Sequence, residues 1–240
     1  FLNLGNQPLA NNYLSKKTMN KKEKKYQLNV CVDKKPNLVS IKKPFSSKTM
    51  FNNKYPYRSS MSKTMTKSFK TLAQHIKKKY KPNMVLEIGS NDGAFIKNFK
   101  KNKTIGIEPC SNIEKLTKKL NYNTFSNYWS KKLAKKILKK FGKLDLIYSA
   151  NTISHIKNLN EVFKAINIVL NDEGILIIED PSLLECIKRN TYDQFYNEHI
   201  YVFSTIALEN ILKLHNLQIF KIEKLNIHGG SNRYFIKKSL

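Results

Sequence analysis

Apolar residues recur at Met65, Phe69, Leu72, Ala73 and Ile76 within Met61 to Tyr80, a three-and-four spacing that predicts a helix with one buried stripe. From Met84 the pattern changes to short apolar runs separated by helical stretches. MVLEIGS ends in Gly89 as a strand, Ala94 to Lys101 is expected to be a helix, and TIGIEP is a second strand closed by Pro109. Ser111 and Glu114 stand in the S-x-x-E relation, so a capping box is expected to open the next helix. LDLIYSA and GILIIED are continuous apolar runs, as strands covered on both faces require, with a helix expected between them over Leu159 to Leu170. Ser204 suits the cap of a helix from Thr205 to His215, and LQIFKIEKL and NRYFIKK read as closing strands. Strands alternating with helices imply an α/β fold with a mainly parallel sheet and helices on both faces. Ahead of it, Pro8, Pro36, Pro44 and Pro56 and the lysine-rich stretch SKKTMNKKEKK break every long period. Residues 1–60 are therefore expected to form a small irregular N-terminal module, and residues 61–240 the main domain.

Composition narrows this picture. No apolar run approaches the roughly 18 residues of a membrane-spanning helix. Phe1 to Leu14 also lacks the basic start and apolar centre of a signal peptide. A cytoplasmic protein without a membrane partner is expected. Leu4, Gly5 and Pro8, so soon after Phe1, read like the interior of a domain, so the chain is expected to be a piece of a longer one. Cys31, Cys110 and Cys186 are odd in number and far apart, which suits reduced thiols better than disulfides or a CxxC metal half-site. The formal charge of +27 invites a nucleic-acid reading. Yet only Arg58, Arg189 and Arg233 among 44 basic residues carry the planar guanidinium that clamps phosphate and reads bases. Nucleic acid is not the expected partner, and the lysines read as solvated helix faces.

The richest chemistry lies in VLEIGSNDGAF, Val85 to Phe95. A strand ending in Glu-x-Gly, with Gly93 four residues after Gly89, makes a tight turn whose backbone can approach a ligand closely. The G-x-G-x-x-G of pyrophosphate-binding turns is absent, since Ser90, Asn91 and Asp92 fill the interval. Glu108 ends the next strand 21 residues after Glu87, the place from which a carboxylate can hold ribose hydroxyls. A nucleoside without a pyrophosphate points to S-adenosylmethionine, with Glu87, Gly89, Asn91, Gly93, Glu108 and Asn151 as candidate cofactor-binding residues. The plainer alternative is that Glu87 and Glu108 only solvate strand ends. The run SANTISHI would bring Asn151 and His155 to the same sheet edge, although His155 could equally be a cap or core residue. Farther on, YNEHIYVFS sets Glu198 and His199 in an apolar setting, costly for an ionisable pair without hydrogen bonds or chemistry to do.

Taken in order, FLNLGNQPLANNYL, YPYRSSMS, LEIGSNDG, NTISHI, YDQFYNEHIYVFS and HGGSNR resemble the deoxysugar C-methyltransferases, over nearly the whole chain. The resemblance implies a Rossmann-like class I methyltransferase fold with a seven-stranded, mainly parallel sheet. It implies S-adenosyl-L-methionine as cofactor, a small-molecule nucleotide-sugar partner such as a dTDP-linked keto-deoxysugar, and methylation at the carbon next to the ketone. Position by position, it makes His199 and Glu198 a catalytic pair, with Tyr196 before them and His155 at the fourth strand. Tyr57 or Tyr55 becomes a tyrosine reaching in from the N-terminal module, and Asn197, His228, Asn232 and Arg233 become substrate-side residues. In this scheme His199, with a pKa near neutrality, strips a proton from carbon while Glu198 orients it or holds its charge, and tyrosines or His155 steady the enolate.

Three departures stand out. The family's four-cysteine zinc module is reduced to Cys31, with Lys34 where a partner would stand, so no metal site is expected. Position 197 is Asn where the family has His, and the chain stops where relatives continue into a further domain. Two alternatives stay open: methyl transfer to oxygen or nitrogen of another small molecule, and a cofactor-binding remnant without turnover.

Overall fold

A computed structural model describes residues 1–239. In chain order its elements are β1 (Leu2–Gln7), β2 (Tyr26–Asp33), β3 (Leu38–Ile41), α1 (Ser47–Met50), α2 (Lys63–Lys79), β4 (Val85–Ile88) and β5 (Thr104–Ile107). There follow α3 (Ser111–Lys118), β6 (Asn123–Phe125), α4 (Lys131–Phe141), β7 (Leu144–Ala150), α5 (Leu159–Val169) and β8 (Leu170–Pro181). The last are α6 (Leu183–Arg189), β9 (Tyr201–Val202), α7 (Thr205–Lys213), β10 (Leu217–Leu225) and β11 (Ser231–Lys238).

Seven strands form the central sheet in the order β10-β11-β8-β7-β4-β5-β6. Strands β8, β7, β4, β5 and β6 run parallel, while β11 is antiparallel to both β8 and β10. The two-residue alternation of strand side chains feeds two cores. Leu86, Ile88, Ile147, Leu176 and Ile178 join the apolar faces of α4, α5 and α7, whereas Val85, Leu146, Tyr148 and Ile177 join that of α2. The stripe read from sequence is the buried face of α2: Met65, Phe69, Leu72, Ala73 and Ile76 all lie in the second core. Because β5 and β7 flank β4 on opposite sides, the order in which strands are added to the sheet reverses at β4. A crevice opens there beyond the carboxyl ends of the strands.

The N-terminal segment departs from the irregular module expected of residues 1–60. Strands β1, β2 and β3 form an antiparallel meander that β9 completes, giving a second sheet in the order β1-β2-β3-β9. Its apolar positions, Leu28, Val30, Leu38, Val39 and Ile41, are buried, and the four prolines all fall between strands. Lysine-rich connections had masked a period of two. Ser40 faces Tyr201 and Val39 faces Val202, and the Ile41 amide donates to the Ile200 carbonyl at 2.8 Å. This pairing docks the segment containing Glu198 and His199 onto the N-terminal sheet.

Two other expectations fail locally. Ala94 to Lys101 is a run of turns with a short 3-10 piece at Ile96–Asn98 and the start of a second at Lys101. The Asn98 side-chain amide donates to the Ala94 and Phe95 carbonyls at 3.1 and 2.9 Å, taking acceptors an α-helix would need. The capping box does not form either. Cys110 is the N-cap of α3 without a side-chain bond, and Glu114 reaches forward to Lys118 at 2.6 Å. Ser204 caps α7 as expected, its hydroxyl accepting from the Ala207 amide at 3.0 Å. No helix among the described residues is long and apolar enough to cross a membrane.

Candidate active site

At the end of β4 the backbone turns sharply at Gly89, whose φ of +74° lies in the left-handed region. The Gly89 and Ser90 amides donate to the Ile107 carbonyl at 2.8 and 2.9 Å, tying this turn to β5. A Cβ on Gly89 would sit 2.1 Å from Thr152 Oγ1, so the turns after β4 and β7 can converge only because this residue is glycine. Between them opens a cavity of about 400 Å³.

Of the residues singled out from sequence, Tyr55, Tyr57, Glu87, Gly89, Asn91, Glu108, Asn151, His155, Tyr196, Glu198, His199 and His228 line this one cavity. Four do not. Gly93 lies past the turn with φ +78° and packs on Thr117. Asn197 is buried outside the lining with its side-chain nitrogen unpartnered. Asn232 donates to Ser182 and Tyr234, and Arg233 is held by Glu179 at 2.6 Å and Glu223 at 2.8 Å. Asn232 and Arg233 thus pin β11 to its neighbours, and of the HGGSNR residues expected on the substrate side His228 alone reaches the cavity wall.

His199 is fixed from both sides. Its Nδ1 lies 2.8 Å from the Gln194 carbonyl, an acceptor only, so Nδ1 carries the hydrogen. Nε2 is left as the lone-pair nitrogen, 3.2 Å from the Tyr196 hydroxyl, which donates to it. Burial pushes the imidazole down to about 4, well below the near-neutral value expected. His155 packs beside it with ring centroids 5.1 Å apart, and its other face stacks on Phe51 at 5.3 Å. Its Nε2 is buried without a partner, and burial together with the nearby His199 holds the ring well below the usual histidine range.

Glu198 does something other than orient its neighbour. One oxygen accepts from the Asn11 side chain at 2.8 Å and the other from the Tyr55 hydroxyl at 3.0 Å. Burial raises its pKa, and these two donors lower it. Glu198 therefore clasps the N-terminal arm over the cavity, and the Gln194 carbonyl supplies the orientation that sequence reading had given to Glu198.

On the far wall, Glu108 accepts from the Asn91 amide at 2.9 Å and the Cys110 amide at 2.8 Å. Burial raises the pKa of both Glu108 and Glu87. Glu87 Oε2 and Asn151 Oδ1 have no partner. Asn91 uses its side chain on the protein: Oδ1 accepts from the Ser59 amide at 2.9 Å and Nδ2 donates to the Tyr57 carbonyl at 3.1 Å. It holds Tyr57 at the cavity.

Sequence reading missed Asn11, Phe51, Asn127, Tyr128, Trp129, Thr152 and Gln194, all in the lining. Asn11 and Gln194 sit inside stretches already singled out, whereas Asn127 to Trp129 follow β6, a three-residue strand too short to betray a period. No cluster of metal-binding side chains occurs among the described residues.

Comparison with known proteins accords with this architecture. At 24% identity the chain is similar to C-methyltransferase NovU of Streptomyces niveus over 96% of its own length, and it spans 56% of that relative. A Pyrococcus horikoshii OT3 protein superimposes with a TM-score of 0.57 at 16% identity, over 76% of this chain and 95% of that one. Magnesium protoporphyrin IX methyltransferase of Synechocystis PCC 6803, solved with bound SAH, does so with a TM-score of 0.54 at 11% identity, over 72% and 83%. The family model described as a methyltransferase domain matches residues 57–222, from the tyrosine at the cavity rim to the penultimate strand, and the chain belongs to that family.

Proposed function

We propose that this protein transfers a methyl group from S-adenosyl-L-methionine to the carbon next to the ketone of a nucleotide-linked, dTDP-type keto-deoxysugar. The observation that carries the reading is His199, neutral and with Nε2 free of hydrogen, in the cavity that also holds Gly89, Glu87 and Glu108. The cavity wall fits the cofactor. The Gly89 turn brings backbone to the cavity wall, Glu87 Oε2 and Asn151 Oδ1 are acceptors awaiting a donor, and Glu108 stands at the strand end suited to ribose hydroxyls. When bound there, S-adenosyl-L-methionine supplies an electrophilic methyl group.

The residues of the chain make the carbon nucleophilic. His199 Nε2 takes the proton from the α-carbon, and the C–H electron pair moves into the new C=C bond as the carbonyl pair shifts onto oxygen. With substrate in place the Tyr196 hydroxyl turns from His199 Nε2, freeing that lone pair, and donates to this oxygen, as does the buried Nε2 of His155 when that nitrogen holds the ring hydrogen. An imidazole as depressed as His199 is a weak base in the empty cavity. Beside a forming enolate its cation gains an opposite charge at low dielectric, which raises its proton affinity as the reaction proceeds. The clasp of Asn11 and Tyr55 on Glu198 keeps the arm closed over the cavity and water out.

The test is to incubate the protein with a dTDP-4-keto-deoxysugar and cofactor carrying a 13C-labelled methyl, then read the product by carbon NMR. A methyl bonded to carbon is expected. A methyl bonded to oxygen would overturn the reading in favour of hydroxyl methylation.

A further inference from the structure

Among the described residues no lysine or arginine lines the main cavity, although the chain contains 44 such residues. Its acidic side chains are Glu87, Glu108, Asp193 and Glu198, and burial keeps His155, His199 and His228 neutral. A diphosphate could not sit there without facing carboxylates and no cation. Next to it, sharing Tyr57 as a common wall, is an open cleft of about 350 Å³ formed by Tyr13, Pro56, Tyr57, Arg58, Met61 and Ser62. No acidic side chain lines this cleft.

Arg58 is set apart from the other two arginines. Arg189 is paired with Glu185 at 3.0 Å and Arg233 with Glu179 and Glu223, while Arg58 has no carboxylate partner among the described residues. Its backbone is nevertheless held on both sides. The Tyr57 carbonyl and Ser59 amide bond the Asn91 side chain, and the Ser60 hydroxyl bonds Asp92. Ser62 is the N-cap of the 17-residue helix α2, whose dipole adds positive potential at the same spot. Tyr13 and Tyr57 offer exposed rings, 78% and 40% accessible, on which a planar base can stack.

We propose that this cleft holds the nucleoside diphosphate end of the substrate, with Arg58 on the phosphates and Tyr13 or Tyr57 against the base, while the sugar reaches past Tyr57 into the main cavity. This rests on the reading of the substrate as a nucleotide-linked sugar and adds where each half lies.

Calorimetry with dTDP as probe tests it on the whole chain. dTDP is expected to bind, Arg58→Ala to weaken it about tenfold or more through loss of a charge-assisted bidentate contact, and Tyr13→Ala to weaken it by about fivefold or more. Both side chains are exposed, so unchanged thermal midpoints will show that the variants fold. Equal dTDP affinity in the parent and Arg58→Ala chains, or no binding to the parent, overturns the cleft. The substrate reading falls on a different result: methylation of a nucleotide-free keto-sugar as readily as of the dTDP-linked one.

Discussion

At the residue scale the proposed chemistry turns on which nitrogen of His199 carries hydrogen. The Gln194 carbonyl decides it, and burial holds the ring neutral. The sign of the pH dependence follows. The folded value, about 4, lies below the ordinary 6.5, so the base form is fully present at neutral pH and is lost only as pH falls through about 4. Between 6.5 and 4 the unfolded chain takes up a proton that the folded chain refuses, so this residue's share of stability, roughly 3 kcal/mol, is present above 6.5 and drains away over that window. NMR of the His199 ring carbons is expected to show a midpoint near pH 4, and one near 6.5 would contradict the burial argument. The sequence identified the Glu198-His199 pair but misassigned its coupling. Adjacent residues on a tight turn point different ways, and Gln194, the true partner through its backbone, carries no side-chain signal for that role.

At the scale of elements, the strand-turn at Gly89 was legible because a strand ending in Glu-x-Gly constrains the backbone strongly. The same logic failed at Ala94 to Lys101, where the Asn98 side chain competes for backbone acceptors, and at Ser111, where the helix starts one residue earlier than a Ser111 cap would require. The N-terminal strands were hidden by lysine-rich connections, and two-residue β9 exists only because β3 lies beside it. Gly89→Ala forces a Cβ into Thr152 and a side chain into positive φ. It is expected to cost about 2 kcal/mol or more in urea unfolding, a strain and overpacking cost. A loss below about 0.5 kcal/mol would show that the turns after β4 and β7 are free to separate.

At the scale of the whole molecule, two sheets meet at the cavity. The seven-stranded sheet presents Glu87, Glu108 and Asn151 at its carboxyl edge, and the smaller sheet carries His199 there through β9 and closes the top through Asn11 and Tyr55. The parallel core was readable from alternating apolar runs, whereas the joining of residues 38–41 to residues 201–202 is a long-range pairing without a local pattern. The account therefore predicts that His199 can act on carbon before any methyl moves. In deuterium oxide, with a dTDP-4-keto-deoxysugar and no cofactor, the parent chain should exchange the hydrogen α to the ketone, and His199→Gln should slow this about a hundredfold or more. Equal exchange by the two proteins, or none by the parent, would contradict it.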